Sequence, residues 1–183
     1  MKKPDFDNRS NGGGIFVQGS AVSLNNVTIA NNSARAAGGG ISRINGIVNI
    51  RNTIIANNDN PTSPDVSGRF TDLGNNLIGT SDGSIGFNVS TLVGMIANPI
   101  NPRLSSLQDN GGSTPTQALL PNSPAINAGA VSRVTTDQRG VSRRGIRDNA
   151  APNQSFNIPI LTTATSNRTV NLNLTVPRNA VFG

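Results

Sequence analysis

The chain contains no cysteine and no histidine. Without Cys it has no disulfide framework, no thiolate nucleophile and no thiolate metal ligand. Without His it lacks the usual general base and the commonest transition-metal ligand. Trp and Tyr are also absent, and aromatic residues make up 3% of the sequence. Only 34% of the 183 residues are hydrophobic, thin for a conventional globular core, while the 13% charged content is too low for a charged disordered chain. No apolar run approaches the roughly 20 residues that a membrane-spanning helix needs. The opening MKKPDFDNRSNGGG lacks the apolar stretch of a signal peptide. What remains is a chain rich in Gly and Asn with regularly placed Val, Ile and Leu, the composition of short strands and frequent turns.

A duplicated block gives that composition an order. Residues 12–32 read GGGIFVQGSAVSLNNVTIANN and residues 38–58 read GGGISRINGIVNIRNTIIANN. Without a gap, Gly12, Gly13 and Gly14 fall on Gly38, Gly39 and Gly40, and Asn26 and Asn32 fall on Asn52 and Asn58. Alternation of apolar positions puts Ile15, Val22, Leu24 and Ile29 on one face, with Ile41, Val48, Ile50 and Ile55 as their counterparts. Each block holds three strand candidates, near 14–17, 21–24 and 27–30 and near 40–44, 46–50 and 53–56. Three short strands joined by sharp corners make a triangular coil, and stacked coils lie about 4.8 Å apart. The expected fold is therefore all-β: a parallel β-helix solenoid of about three coils over residues 1–90, an irregular cap over 91–144 and a C-terminal extension over 145–183. One coil cannot bury its apolar face alone, so several must cooperate.

The corners account for the other matched residues. Gly adopts positive φ without a steric penalty. Asn tolerates the left-handed region, and its amide is able to pair with the same Asn one coil away, which makes Asn26 over Asn52 and Asn32 over Asn58 the expected ladders. Residues 1–11 resemble the linker before the second block, so the chain reads as beginning partway through an array, as a piece of a longer protein. After Asn58 the register loosens. Residues 65–79 read as a divergent third coil with Val66, Phe70, Leu73, Leu77 and Ile78 as its core. Residues 91–129 carry many Pro, Asn and Gly turn signals. Leu104, Leu107, Leu119, Leu120 and Ile126 are spaced to pin that stretch over the last coil. Residues 168–176 alternate as a half-buried strand, with Val170, Leu172, Leu174 and Val176 on one face.

Charge is uneven. The formal net charge is +6, and residues 131–183 hold seven Arg against two Asp. A basic tail suits anion binding, but the arginine cluster between 133 and 147 holds no aromatic residue to stack on bases, and no nucleic-acid partner is expected.

Three segments together resemble the choice-of-anchor Q family: the GGGI coils, Asn76-Leu77-Ile78-Gly79, and QDNGGSTPT running into ALLPNSPAINAG at 108–129, followed by Asp137-Gln138-Arg139-Gly140 and Arg143. The resemblance covers about residues 12–144. It implies a right-handed parallel β-helix of the pectin-lyase-like fold in an exported bacterial protein, extracellular or tethered to the cell surface. It singles out Asp109, Asn110, Gly111, Gly112, Asp137 and Arg139 as the cap motif. The chain departs from the family at Gln117, where the usual residue is His, and after Arg144, where the acidic ending is not found.

Polysaccharide lyases and hydrolases use clustered or paired carboxylates, and the acids here, Asp59, Asp65, Asp72, Asp82 and Asp109, are spread along the chain. Asp65 and Asp72 beside Arg69 form the nearest approach to a pair, and no catalytic residue is assigned. Asp59 and Asp65 offer the oxygen atoms that calcium prefers, although the GGxGxD repeat of calcium-binding β-rolls is missing; no cofactor is assigned. The expected function is a non-catalytic stalk or adhesin-like segment whose partner is an extracellular glycan or another surface protein. The alternative is a fragment of a lyase or hydrolase acting on acidic glycans.

Overall fold

The computed structural model describes residues 11–130 and 134–142, and the backbone of 169–172. Among these residues the chain is all-β, without a helix. The first block forms β1 (Ile15–Val17), β2 (Ser20–Asn25) and β3 (Thr28–Ile29), and the second forms β4 (Ile41–Arg43), β5 (Gly46–Arg51) and β6 (Ile54–Ile55). Then come β7 (Val66–Arg69), β8 (Thr71–Asp72), β9 (Leu77–Ile78), β10 (Ser84–Ile85), β11 (Leu92–Val93) and, far along the chain, β12 (Thr169–Leu172). Successive triplets are called tiers below; β10 and β11 make the last tier.

Each of the first three tiers gives one strand to each of three parallel sheets, the last tier adds β10 and β11 to two of them, and β12 adds to the third, in the orders β1-β4-β7-β10, β12-β2-β5-β8 and β3-β6-β9-β11. Three parallel sheets that share successive strands in this way are compatible with a β-helix-like solenoid. The pairing is in register: Ile15 lies over Ile41, Val22 over Val48, Leu24 over Ile50 and Ile29 over Ile55. The stack continues with Val66 on Ile41 and Ile78 on Ile55. Along β2 the exposure alternates residue by residue, which is the period of a strand with one buried face. The buried face is the core, and Phe70 extends it towards the last tier by stacking on Phe87 at a centroid distance of 5.6 Å.

The triple glycines serve the stacking directly. Gly12 and Gly38 hold φ of 64° and 62°, a conformation that costs other residues steric energy. A Cβ on Gly39 would lie 2.3 Å from the carbonyl oxygen of Pro64 in the next tier. Only a bare backbone fits between tiers there.

Three expectations need correction. Leu73 is 56% exposed rather than in the core. The third tier is shorter than the 26-residue repeat, and its register sets Asp72 opposite Ile50, so Leu73 falls on the outward side. Leu107 and Leu120 are also exposed. Finally, the irregular stretch after residue 98 does not lie over the last tier. Ile100, Leu104, Leu119, Ala125 and Ile126 pack on Ile54, Ala56 and Leu77, forming a second small core on the flank of the β3-β6-β9-β11 sheet. The flank segment runs back along the tiers: Ile100 donates to the Gly79 carbonyl, Ala128 meets Asn75, and Ala130 meets Asn52. The expected strand at 168–176 exists as β12, which pairs in parallel with β2, Val170 beside Val22 and Leu172 beside Leu24. Residues 173–176 lie outside the described ones, as do 1–10, so the linker likeness of residues 1–11 is not addressed beyond the bridge of Asn11 to Ala37.

Ile50 is fully buried between Leu24 and Asp72 in its sheet. Ile50→Asp places a second carboxylate next to Asp72 with no partner, at a cost of at least about 4 kcal/mol. The expected result is loss of the cooperative urea transition, followed by far-ultraviolet circular dichroism; an unchanged midpoint would mean that Ile50 does not face the core.

Candidate functional site

A polar column runs through the corner between the β3-β6-β9-β11 sheet and the β1-β4-β7-β10 sheet. It starts at Asn32, whose main-chain N–H and side-chain Nδ2 both donate to Oδ1 of Asn58 at 3.0 Å. Asn58 repeats the pattern one tier on: its N–H and Nδ2 donate to Oδ1 of Asp65, at 3.0 and 2.9 Å. At Asp65 the pattern reverses. Oδ2 accepts from the N–H and hydroxyl of Thr80, at 2.7 and 3.1 Å. An amide both accepts and donates, so a ladder of amides has a direction; a carboxylate only accepts and is able to receive donors from both sides. Asp65 is the point where the ladder ends. The neighbouring glycines leave room for it, since a Cβ on Gly40 would lie 2.8 Å from Nδ2 of Asn58, and one on Gly79 would lie 2.6 Å from Oδ2 of Asp65.

Asp65 is 1% exposed and all four of its hydrogen-bond donors are neutral. Burial raises its pKa above the ordinary value of 3.8, and the bonds from Asn58 and Thr80 oppose that rise without cancelling it. It borders a cavity of about 380 Å³ whose walls are the corner residues Asn57, Asn58 and Thr80 on one side and Ile96 of the last tier with Pro99, Ile100 and Asn101 of the flank segment on the other. This is the one place where the described residues combine a concavity with a buried acid of shifted pKa.

The second expected ladder is not formed. Asn26 and Asn52 have φ of 58° and 48°. That left-handed backbone turns the amide of Asn52 to the flank, where Nδ2 donates to the Ala130 carbonyl at 3.0 Å and Oδ1 accepts from its N–H at 2.8 Å. Asn75, with φ of 58°, donates to the Ala128 carbonyl at 3.1 Å. Both side-chain heteroatoms of Asn26 are buried without a hydrogen-bond partner. The corner asparagines thus divide two tasks: Asn32 and Asn58 build the ladder, while Asn52, joined by Asn75, holds the flank segment. Asn75 and Thr80 were not singled out in the sequence, because they fall in the tier where the repeat has drifted.

The remaining acids are also committed to donors. Oδ1 of Asp72 accepts from the Gly74 N–H at 2.7 Å and from Nδ2 of Asn76 at 2.6 Å, and its Oδ2 accepts from the Asn88 N–H at 2.7 Å. Asp65 and Asp72 therefore serve opposite ends of the β7–β8 stretch, with no donor in common, and no ion pair joins Arg69 to either among the described residues. Asp59 is exposed, with Oδ2 accepting from the Ser33 hydroxyl at 3.4 Å. No group of three or more acidic, His or Cys side chains gathers among the described residues.

The described residues among those singled out at 108–129 and 137–142 form a compact knot; Arg143 lies outside the described residues. Asp137 is buried against Arg139, with Nη2 of Arg139 3.0 Å from Oδ2, while Oδ1 accepts from the N–H groups of Arg139 and Val141. Nη1 of Arg139 donates to the Asn110 carbonyl at 3.3 Å. Gly112 lies against it, where a Cβ would come within 2.9 Å of the Arg139 Cα. Asp109 accepts from the Gly111 N–H at 2.9 Å, and Asn110 donates to the Thr116 carbonyl at 2.9 Å. Gln117 is buried and donates to the Ser105 carbonyl at 2.9 Å. Apart from the Arg139–Asp137 ion pair, each of these contacts satisfies a loop carbonyl or amide.

No family model, curated protein or solved structure matches the chain. Among the described residues no helix is long and apolar enough to cross a membrane.

Asp65 supplies two linked tests. Asp65→Ala leaves four donors without an acceptor and should cost on the order of 3 kcal/mol or more in urea unfolding at neutral pH. Asp65→Asn keeps an acceptor for Asn58 but turns an amide donor towards Thr80, and should cost less. The raised pKa gives the pH dependence its sign. Protonated Asp65 favours the folded state, so this contribution is complete below about 3.8 and fades as pH rises through the higher folded value. Relative to Asp65→Asn, the wild-type chain should gain stability as pH falls from 7 towards 4. A difference that grows in the opposite direction would contradict the assignment.

Proposed function

We propose that the chain is a segment of a right-handed parallel β-helix of the choice-of-anchor Q kind, acting outside the cell without catalysis, as a stalk or an adhesin-like binding element. The observation that carries this reading is the commitment of the acids. Asp65, Asp72 and Asp137 each spend their oxygens on main-chain N–H groups and neighbouring side chains, at three separate places. Catalysis by carboxylates needs oxygens free to accept or deliver a proton at a substrate. The in-register stacking of three parallel sheets supports a solenoid, and the likeness of 108–129 and 137–143 to the family supports an exported, surface-associated setting. The outer faces of the sheets, with Ser23 and Asn49 side by side in one of them, are the surface offered to a glycan or a partner protein.

A second reading has one observation in its favour, the cavity beside Asp65, whose raised pKa is of the kind used by proton donors. In that reading the chain is part of a lyase or hydrolase acting on acidic glycans. Incubation with pectic and related acidic glycans, with and without added calcium, separates the two. The non-catalytic reading expects no new reducing ends or unsaturated products, together with retention on an immobilised glycan or surface-protein array. Cleavage that disappears in Asp65→Asn, with the fold intact, would replace it by the enzymatic reading.

A further inference from the structure

The cavity beside Asp65 has two kinds of lining. Along the corner the polar atoms are already spent. Four donors fill the four lone-pair sites of the Asp65 carboxylate, and an acid that accepts from four donors is ionised. Nδ2 of Asn58 is shared between Asp65 and the carbonyls of Ile29 and Ala56, and its Oδ1 takes both donors of Asn32. The Thr80 hydroxyl donates to Asp65 and accepts from its N–H at 3.3 Å. The remaining lining is open. Pro64, Ile96, Pro99 and Ile100 give aliphatic surface, and Asn57 and Asn101 give amides. Ile96 is fixed by its N–H, which donates to Oδ2 of Asp82 at 2.6 Å, and by the tight turn in which Met95 and Asn98 exchange main-chain bonds. Asn57 and Asn101 are exposed. Oδ1 of Asn101 accepts from the Arg103 N–H at 2.7 Å; its Nδ2 and the whole Asn57 amide have no hydrogen bond among the described residues. Among those residues no Lys or Arg lines the cavity.

We propose that this cavity binds an uncharged sugar, one or two pyranose rings of a glycan, with Asn57 and Asn101 as its polar contacts; the inference rests on the glycan-binding reading above. The volume of about 380 Å³ lies at the small end of the range for ligand sites, roughly 300–1,000 Å³. A pyranose ring has an apolar C–H face and a rim of hydroxyls that both donate and accept. The aliphatic lining suits the face. A planar amide offers a donor group beside an acceptor, which suits neighbouring hydroxyls on the rim. An acidic sugar is disfavoured by charge, because its carboxylate would lie near that of Asp65 with no cation in the lining to offset it. The filled oxygens of Asp65 also suit binding rather than proton transfer, which needs an oxygen open to the substrate.

The test is a calorimetric titration of the full chain with neutral disaccharides of glucose, galactose, mannose and xylose, and with digalacturonate as the acidic probe. At least one neutral disaccharide should bind at one site per chain, and digalacturonate at the same concentration should not. Asn57→Gly keeps the left-handed corner, where φ is 61°, and removes the amide. Asn101→Asp keeps the oxygen that the Arg103 N–H uses and removes the open donor. Each should weaken sugar binding by about tenfold, as loss of one hydrogen-bonding group does. Both residues are exposed, so the urea midpoint should stay where it is in the wild-type chain. The two variants are independent, and either one alone decides. The proposal is overturned if no neutral disaccharide binds, if digalacturonate binds as well as they do, or if the variants bind like the wild-type chain. In that last case, loss of binding in Asn49→Ala would move the sugar to the outer sheet face and leave the glycan reading standing. In the first case, that reading rests on retention by the immobilised array alone.

Discussion

Parallel stacking at the strand spacing is the constraint on which everything else in this structure depends. A strand in such a stack cannot satisfy its main chain within its own tier, so every N–H and C=O along a sheet looks to the tier above or below. The tiers must then be alike at each position that touches its neighbour. Ile15, Ile41 and Val66 share one such position, and Ile29, Ile55 and Ile78 another. The same constraint explains the glycines, which stand where the chain of one tier passes so close to the next that a single carbon would collide. A protein with few aromatics and little hydrophobic content forms a core this way because each side chain is used twice, against the tier on either side.

Polar groups inside the stack obey a related rule. Asn32 and Asn58 each hand their donors to the following tier, and a row of amides passes the same demand along. Asp65 removes the demand by accepting from both directions, at the cost of holding a carboxylate in a dry corner without a cation. Asp72 is a second case, a carboxylate set in the register of Ile50 and surrounded by N–H groups. Asp65 and Asp72 mark where the repeat changes. They sit in the third tier, where the copy is least faithful and where a directional ladder has to stop.

The same rule sets how much was legible in the sequence. The first two tiers were readable because stacking forces like over like, and a matched pair of blocks is the imprint of that requirement. The strand positions and all eight inward residues of those tiers are where the alternation puts them. Legibility failed where a residue answers to something outside the stack. Asn52 matches Asn26 in sequence, yet its partner is the main chain of Ala130, far along the chain. A left-handed corner was foreseeable for an asparagine; which main chain it would hold was not. Leu73 failed because one acid took the inward register next to it. The flank segment failed because turn-rich sequence has no period from which its place could be read. The candidate site beside Asp65 was only half visible for the same reason: the acid was noticed, but its second wall comes from residues 96–101 of the last tier and flank segment.

The return of the chain along the flank has a mechanical side. Asn11 bridges to Ala37 at the start of the stack, and β12 lies on β2 in the first tier. Entry and exit of the described chain therefore meet at one end. A tension entering at residue 11 and leaving at residue 172 is borne by the first tier and by β12 sliding lengthwise against β2, the direction in which parallel strands resist as a group rather than one bond at a time. The second, third and last tiers hang beyond that loaded path like a bracket from a wall. They give the molecule reach and surface, and they remain folded under a pull that the first tier alone has to withstand.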